Sequence, residues 1–189
     1  MRSIILFNMV SLDGYFEGPN HDIYWHNVDE EFNQFAIEQT GSAGGLIFGR
    51  VTYEMMAAYW PGADALQDDP VVAGQMNSIP KIVFSQTLQQ ASWQNTRLVR
   101  ENAEDEICRL KQQPGRDWFI FGSARLSASL IQAGLIDEYR LILNPLALGG
   151  GTPLFQGLHQ PLHFNLLKTR VFQNGNVLLY YRPVPLSGN

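Results

Sequence analysis

Short apolar runs alternate along the chain with longer stretches of helical periodicity, a pattern that predicts an α/β sheet protein. Residues 3–9 form an apolar, β-branched run and read as a first strand. Residues 29–39 place Phe32, Phe35 and Ala36 at helical spacing, with acids in the first turn where the helix dipole favours them. Residues 44–49 read as a short buried strand ending on glycine. Residues 52–60 read as a helix with Tyr53, Met56, Ala57 and Trp60 on one face. Then come a polar loop (61–70), a short helix (71–77), a second buried strand (Lys81–Phe84) and a loop (85–90). Ala103–Gln112 is an amphipathic helix with Ile107 and Leu110 inward, stopped by Pro114 and Gly115. Trp118–Phe121 is a third buried strand, followed by a helix over 123–133 with Gly134 suited to its C′ position. A strand over 138–144 and a flexible loop at Gly149, Gly150 and Gly151 follow. Residues 164–172 and 176–181 flank Asn174-Gly175, a strong hairpin signal. With β-α units first and the hairpin last, the pattern predicts one domain over 1–189. It is a three-layer αβα domain whose mixed sheet is mostly parallel with an antiparallel C-terminal edge.

Composition narrows the class. Of 189 residues 45% are apolar, enough for a real core, while only 16% are charged. So few charges predict surface buried against a partner, and a homodimer is expected. Tyr180 and Tyr181 point the same way, because strand alternation leaves one ring outward. A formal charge of −5 argues against nucleic acid as a partner, since phosphate contacts need a basic face. No window approaches the ~18 apolar residues that cross a bilayer, so no membrane role is expected. Asn8 and Asp13 interrupt the first apolar run too early for a signal peptide, and a cytoplasmic location is expected. Cys108 is the single cysteine, which excludes an internal disulfide; it is expected to be buried and inert beside Ile107 and Leu110. His21, His26, His159 and His163 lack metal-ligand spacing, so no metal is expected, and His26 reads as a bystander.

Three strand-to-helix junctions carry candidate chemistry. At Phe48-Gly49-Arg50-Val51-Thr52 a strand ends on glycine and a helix begins. Free N–H groups at the helix start, with Arg50 beside them, make an anion site; an N-cap Thr52 and a solvated Arg50 are the plainer alternative. Gly122-Ser123-Ala124-Arg125-Leu126 repeats the construction, with an ordinary capped helix as its alternative. Phe84-Ser85-Gln86 offers polar groups at the same sheet edge, suited to an adenosine end or to nothing more than a loop. In an open α/β sheet the carboxyl ends of parallel strands line one edge, so Arg50 and Arg125 can face one extended, phosphorylated ligand.

Taken in order, these segments resemble dihydrofolate reductase and the reductase domain of the bifunctional riboflavin-synthesis deaminase-reductase. Ser11-Leu12-Asp13-Gly14 and the stretch from Asp137 through Leu148-Gly149-Gly150-Gly151-Thr152-Pro153-Leu154-Phe155 are similar to the riboflavin-pathway reductases, so the resemblance spans nearly the whole chain. It implies NADPH as cofactor. Gly49, Arg50 and Thr52 correspond to the grip on the adenosine 2′-phosphate, and Phe84, Ser85 and Gln86 to the loop beside the adenosine. Gly122, Ser123, Ala124, Arg125 and Leu126 correspond to the glycine-rich turn under the pyrophosphate. On the substrate side it implies a carboxylate on the first helix, which places Glu31 as the catalytic acid and Phe35 one turn later. Asp13, Trp25 and Asn144 become substrate-side contacts.

The expected function is hydride transfer from NADPH to a small heterocycle, most like reduction of 5-amino-6-(5-phosphoribosylamino)uracil. A dihydrofolate- or pterin-type reduction is one alternative, and a non-catalytic NADP-binding module is another. A carboxylate buried beside Phe32 or Phe35 would have a raised pKa and act as proton donor. The plainer alternative for Glu31 is first-turn stabilisation of its helix, and for Asn144 strand termination.

Overall fold

A computed structural model describes residues 1–185 of the chain. In chain order its elements are β1 (Ile4–Val10), β2 (Tyr15–Glu17), α1 (Glu30–Ser42), β3 (Gly45–Gly49), α2 (Arg50–Tyr59), α3 (Ala63–Asp68), α4 (Pro70–Ser78) and β4 (Lys81–Phe84). There follow β5 (Thr96–Val99), α5 (Ala103–Gln112), β6 (Trp118–Phe121), α6 (Ala124–Gln132), β7 (Glu138–Leu143), β8 (Thr152–Pro153), β9 (Phe164–Val171) and β10 (Val177–Pro183).

Eight strands form one sheet in the order β5-β4-β3-β6-β1-β7-β10-β9. Pairing is parallel from β5 to β7 and antiparallel across β7, β10 and β9. This is the predicted mixed sheet with an antiparallel C-terminal edge. Strand alternation sorts the core into two faces. Ile4, Leu6, Ile47, Ile82 and Ile120 face α5 and α6, meeting Ile107, Leu110, Leu130 and Ile131. Ile5, Leu46, Phe48, Val83 and Phe119 face α2 and α4, meeting Tyr53, Val72 and Met76. Phe35 of α1 closes the second face over Met9, Ile142, Phe172 and Leu178. The result is three layers, αβα.

Several local expectations change. The loop expected at 61–70 contains α3, whose fully buried Ala65 anchors it to the domain. β5 lacks an apolar run because it is an edge strand with half-exposed residues, and the short β2–β8 pair involves too few residues to leave a periodic signal. Cys108 is exposed, since only Ile107 and Leu110 of α5 turn inward. Neither tyrosine of β10 is stranded: Tyr180 is buried, and Tyr181 packs on Phe164 with ring centroids 5.7 Å apart. The neighbouring edge strand β9 does carry exposed apolar side chains, at Leu166, Leu167 and Val171.

The Gly149 loop is not free. Asp13 accepts hydrogen bonds from the Leu148 and Gly149 N–H groups at 3.0 and 2.7 Å and from Ser11 Oγ at 2.6 Å. These bonds lower the exposed Asp13 carboxyl to about 2, the Ser11 hydroxyl contributing most. Gly151 has φ +134, and a Cβ there would lie 2.1 Å from the Glu17 carbonyl oxygen, so only glycine allows this close approach.

Candidate functional site

β3 and β6 are neighbours and run parallel, so the two arginine-bearing junctions emerge side by side. Hydrogen bonds join them directly. The Ser123 N–H donates to Thr52 Oγ1 at 3.0 Å, and the Gly49 N–H donates to Ser123 Oγ at 2.9 Å. Ser123 Oγ donates in turn to the Phe121 carbonyl at 2.9 Å. A third strand enters the network where the Gly122 N–H donates to Asn8 Oδ1 of β1 at 2.8 Å. The predicted single rim is therefore formed, with Gly49, Thr52, Gly122 and Ser123 at its centre.

Backbone conformation explains why small residues stand here. Gly122 has φ +56, and a Cβ on it would meet Thr52 Oγ1 at 3.1 Å. Ser123 also adopts the left-handed region, φ 63 and ψ 51, where a non-glycine residue costs on the order of 1–3 kcal/mol. Its hydroxyl and N–H bonds hold that conformation, which glycine could adopt freely but could not tie to Gly49.

Thr52 lies inside α2 rather than capping it. The helix begins at Arg50 with Gly49 as its N-cap residue, and no side chain caps it. α6 begins at Ala124 with Ser123 as its N-cap residue, again with no side-chain cap. Two adjacent helix N-termini thus present first-turn N–H groups that no side chain of their own satisfies. Arg50 and Arg125 are both exposed in those first turns. Arg50 is not isolated, for its Nη1 pairs with Glu54 Oε2 at 2.8 Å. Ala124 and Leu126 lie beside the rim as half-buried residues packed on the core. β4 adds Phe84 one strand further out. There the Ser85 hydroxyl accepts from the Thr87 and Leu88 N–H groups, and the Gln86 carbonyl accepts from Arg100 Nη1 at 3.4 Å. Ser85 is thus committed to shaping the loop, and Arg100 is a rim cation that the alternating pattern did not single out.

From this rim a cleft of about 470 Å³ runs between the sheet and α1, α2 and α4. Phe7, Asn8, Met9, Thr52, Phe121 and Gly122 line its sheet side. Phe32, Asn33 and Ala36 face it from α1, and Met55, Met56 and Tyr59 from α2.

The substrate-side expectations fare differently. Glu31 does not face the cleft. It accepts from Arg170 Nη2 at 3.1 Å and from the Gln173 N–H at 2.8 Å, tying α1 to the β9–β10 hairpin. These bonds, the Gln173 N–H first, lower its pKa rather than raise it, so the expected proton donor is a settled carboxylate. Phe35, one turn on, shares that side of the helix and is core, 5.7 Å from the Phe172 ring. The cleft side of α1 is rotated by one residue, to Phe32, Asn33 and Ala36. Trp25 donates to the Asp22 carbonyl from Nε1 and rests edge-on against His26; the neighbour, not Trp25, lines the cleft. Asn144 is fully buried, accepting from the Asn27 N–H at 2.9 Å and donating to the Val10 and Ile142 carbonyls. Its amide is consumed in holding the segment before α1. Asp13 is consumed by the Gly149 loop.

Asn8 escapes sequence reasoning, and His26, read there as a bystander, lines the cleft. Asn8 is buried, with Oδ1 on Gly122 and no partner for Nδ2. His26 also has a buried, unpartnered nitrogen, Nε2. Burial pushes its ring down to about 4, with the Phe16 backbone opposing, so it is neutral at pH 7. For Asn8 the available signal was an amide in the middle of an apolar strand. Among the described residues there is no cluster of potential metal ligands and no helix long and apolar enough to cross a membrane.

One mixed sheet between two helical layers, in this strand order, defines an α/β domain of the dihydrofolate-reductase-like fold class. The chain belongs to the RibD C-terminal domain family, which matches residues 2–178. It is 32% identical over 182 residues to the Bacillus subtilis (strain 168) protein YyaP, covering 95% of this chain and 94% of that one. Among solved structures, it is similar to a Shewanella sp. PV-4 protein assigned to riboflavin biosynthesis. The TM-score is 0.73 at 26% identity, covering 96% of this chain and 99% of the other. Enterococcus faecalis dihydrofolate reductase, solved with NADP(H), shares the fold at TM-score 0.64 and 15% identity, covering 96% of each chain.

Proposed function

We propose that the protein is an NADPH-dependent reductase of a small heterocyclic substrate. The observation that carries this reading is the pair of uncapped helix N-termini joined through Thr52 and Ser123. Backbone N–H groups at such termini bind phosphate oxygens, and two of them side by side suit a pyrophosphate. The fit extends to Gly122, where a Cβ would fill the space against Thr52 that the tight turn requires. In this reading Gly122, Ser123, Ala124 and Arg125 hold the pyrophosphate, with Leu126 packing beneath. Gly49, Arg50 and Thr52 hold the 2′-phosphate end, and Phe84, Ser85 and Gln86 border the adenosine.

NADPH, when bound, supplies the hydride. This chain's residues orient the coenzyme on the rim and exclude water with the aromatic and methionine walls of the cleft. The proton that balances the hydride comes from water in this reading, since His26, which lines the cleft, is neutral at pH 7. Glu31, already ionised and bonded, leaves the folate-type alternative without its helix carboxylate. The family supports a substrate related to 5-amino-6-(5-phosphoribosylamino)uracil more than a folate. We also infer a cytoplasmic homodimer, supported by the exposed leucines of the β9 edge; sedimentation as a monomer at micromolar concentration would remove the dimer.

The test is NADPH oxidation against a panel of pyrimidinediones, pterins and dihydrofolate. Turnover with a pyrimidinedione and none with dihydrofolate is expected. NADPH binding without turnover of any compound would instead favour a non-catalytic NADP-binding module.

A further inference from the structure

Four helix N-termini surround the cleft, and they are of two kinds. Those of α2 and α6 carry no side-chain cap. Those of α1 and α4 are filled by the protein's own carboxylates: Asp29 accepts from the Phe32 N–H at 2.8 Å, and Asp69 accepts from the Val72 N–H at 3.1 Å. A capping carboxylate takes the place a ligand phosphate would occupy and repels it. Asp69 lines the cleft, as do Asp68 and Glu17, the latter paired with the cleft residue His21 at 2.7 Å. Among the described residues, no lysine or arginine lines it. Most of the remaining wall is apolar, including Phe16, Met56, Trp60, Val72 and Met76. A phosphate set there would lose water without gaining a lysine or arginine, and His21 is already held by Glu17.

Two neutral polar groups also line the cleft, Asn8 and His26. Asn8 Oδ1 is fixed on Gly122, which fixes Nδ2 as a donor in need of an acceptor. Nε2 of His26 also has no partner, and burial keeps the ring neutral at pH 7, so this nitrogen accepts or donates according to the ring's tautomer. Asn8 Nδ2 matches a ring carbonyl, and His26 Nε2 a ring nitrogen or N–H.

Resting on the reductase reading, we propose that this cleft takes an unphosphorylated, neutral, carbonyl-bearing heterocycle, anchored by Asn8 and His26. The only phosphates the site accommodates are the coenzyme's, at α2 and α6. The substrate then differs from the phosphoribosylated uracil of the riboflavin-pathway reductases by lacking its phosphate. The reaction that supplies it delivers an unphosphorylated compound.

The experiment is calorimetric titration of the full chain with 5-amino-6-ribitylaminouracil and with its 5′-phosphate, a pair differing only in that group, each with and without NADP⁺. The free compound is expected to bind at least tenfold more tightly. Equal or tighter binding of the phosphate, or binding of neither with NADP⁺ bound, overturns the proposal while leaving coenzyme use intact. Absence of NADP⁺ binding is a separate result and strikes the reductase reading instead. Asp69→Asn, which keeps a cap but removes its charge, is expected to narrow the discrimination at least threefold; an unchanged ratio contradicts the carboxylate's role. Asn8→Asp keeps an acceptor for the Gly122 N–H and removes the donor. It is expected to weaken the free compound tenfold or more with the far-ultraviolet circular dichroism unchanged, while the buried carboxylate lowers the melting temperature. Full affinity in Asn8→Asp and in His26→Phe overturns the anchoring.

Discussion

The rim at β3 and β6 and the base of α1 look alike in sequence, each offering polar and charged residues where a helix begins. Their side chains are spent in opposite ways. At the rim, Thr52, Ser123 and Asn8 bond to backbone groups of the turns and leave the first-turn amides of α2 and α6 open. At α1, Asp29 caps the helix, and Glu31 reaches across to Arg170 and the hairpin. A helix start becomes a ligand site when its side chains brace the turn, and a structural joint when they fill it.

The largest effect should come from closing the rim. Gly122→Val forces a branched side chain into φ +56, against Thr52. It should cost about 3 kcal/mol of stability in urea denaturation and abolish NADPH binding. A variant that still binds NADPH would break the comparison. Next comes the pH response of the cleft. The unfolded chain protonates His26 near its ordinary 6.5, but the folded ring resists down to about 4. Protons therefore favour the unfolded chain in that window, and stability falls as pH drops from 6.5 to 4, by about 3 kcal/mol at most. His26→Phe should flatten that segment of the stability–pH curve.

Thr52→Val keeps the shape but strands the buried Ser123 N–H, and denaturation should register a loss of about 1–3 kcal/mol. Arg50→Ala should leave the melting temperature unchanged, since its pair with Glu54 is exposed. It should weaken NADPH about tenfold more than NADH, because only NADPH carries the 2′-phosphate; equal losses would refute the assignment. Smallest of all, Glu31→Gln should leave kcat within about twofold. Its effect should be on stability. The depressed carboxyl stabilises the fold above its unfolded pKa, and that contribution disappears as pH falls through the folded value. The variant and wild type should therefore converge in strong acid.

What the sequence revealed follows the same division. Sheet, helices, hairpin and rim were legible because backbone periodicity and turn residues such as Gly49, Gly122 and Asn174-Gly175 encode them locally. The substrate side was not, because it depends on the phase of α1. A rotation of one residue exchanges Glu31 and Phe35 for Phe32 and Asn33 at the cleft, and both phases place apolar residues inward. The bonds made by Asn144 and Asp13 were illegible for a related reason. Their partners, Asn27 and the Leu148–Gly149 amides, lie more than a hundred residues away in the chain. His26 looked incidental because its significance lies in a partner it lacks.

The central claim is that the open N-termini of α2 and α6 together seat the coenzyme's phosphates. The most direct measurement is a ¹⁵N–¹H correlation spectrum followed through a titration with NADP⁺. The largest shifts should fall on the open first-turn amides, Arg50, Val51 and Thr52 of α2 and Ala124, Arg125 and Leu126 of α6, with Phe32 and Val72 little moved. Shifts centred on Phe32 and Val72, with the rim amides unmoved, would contradict it.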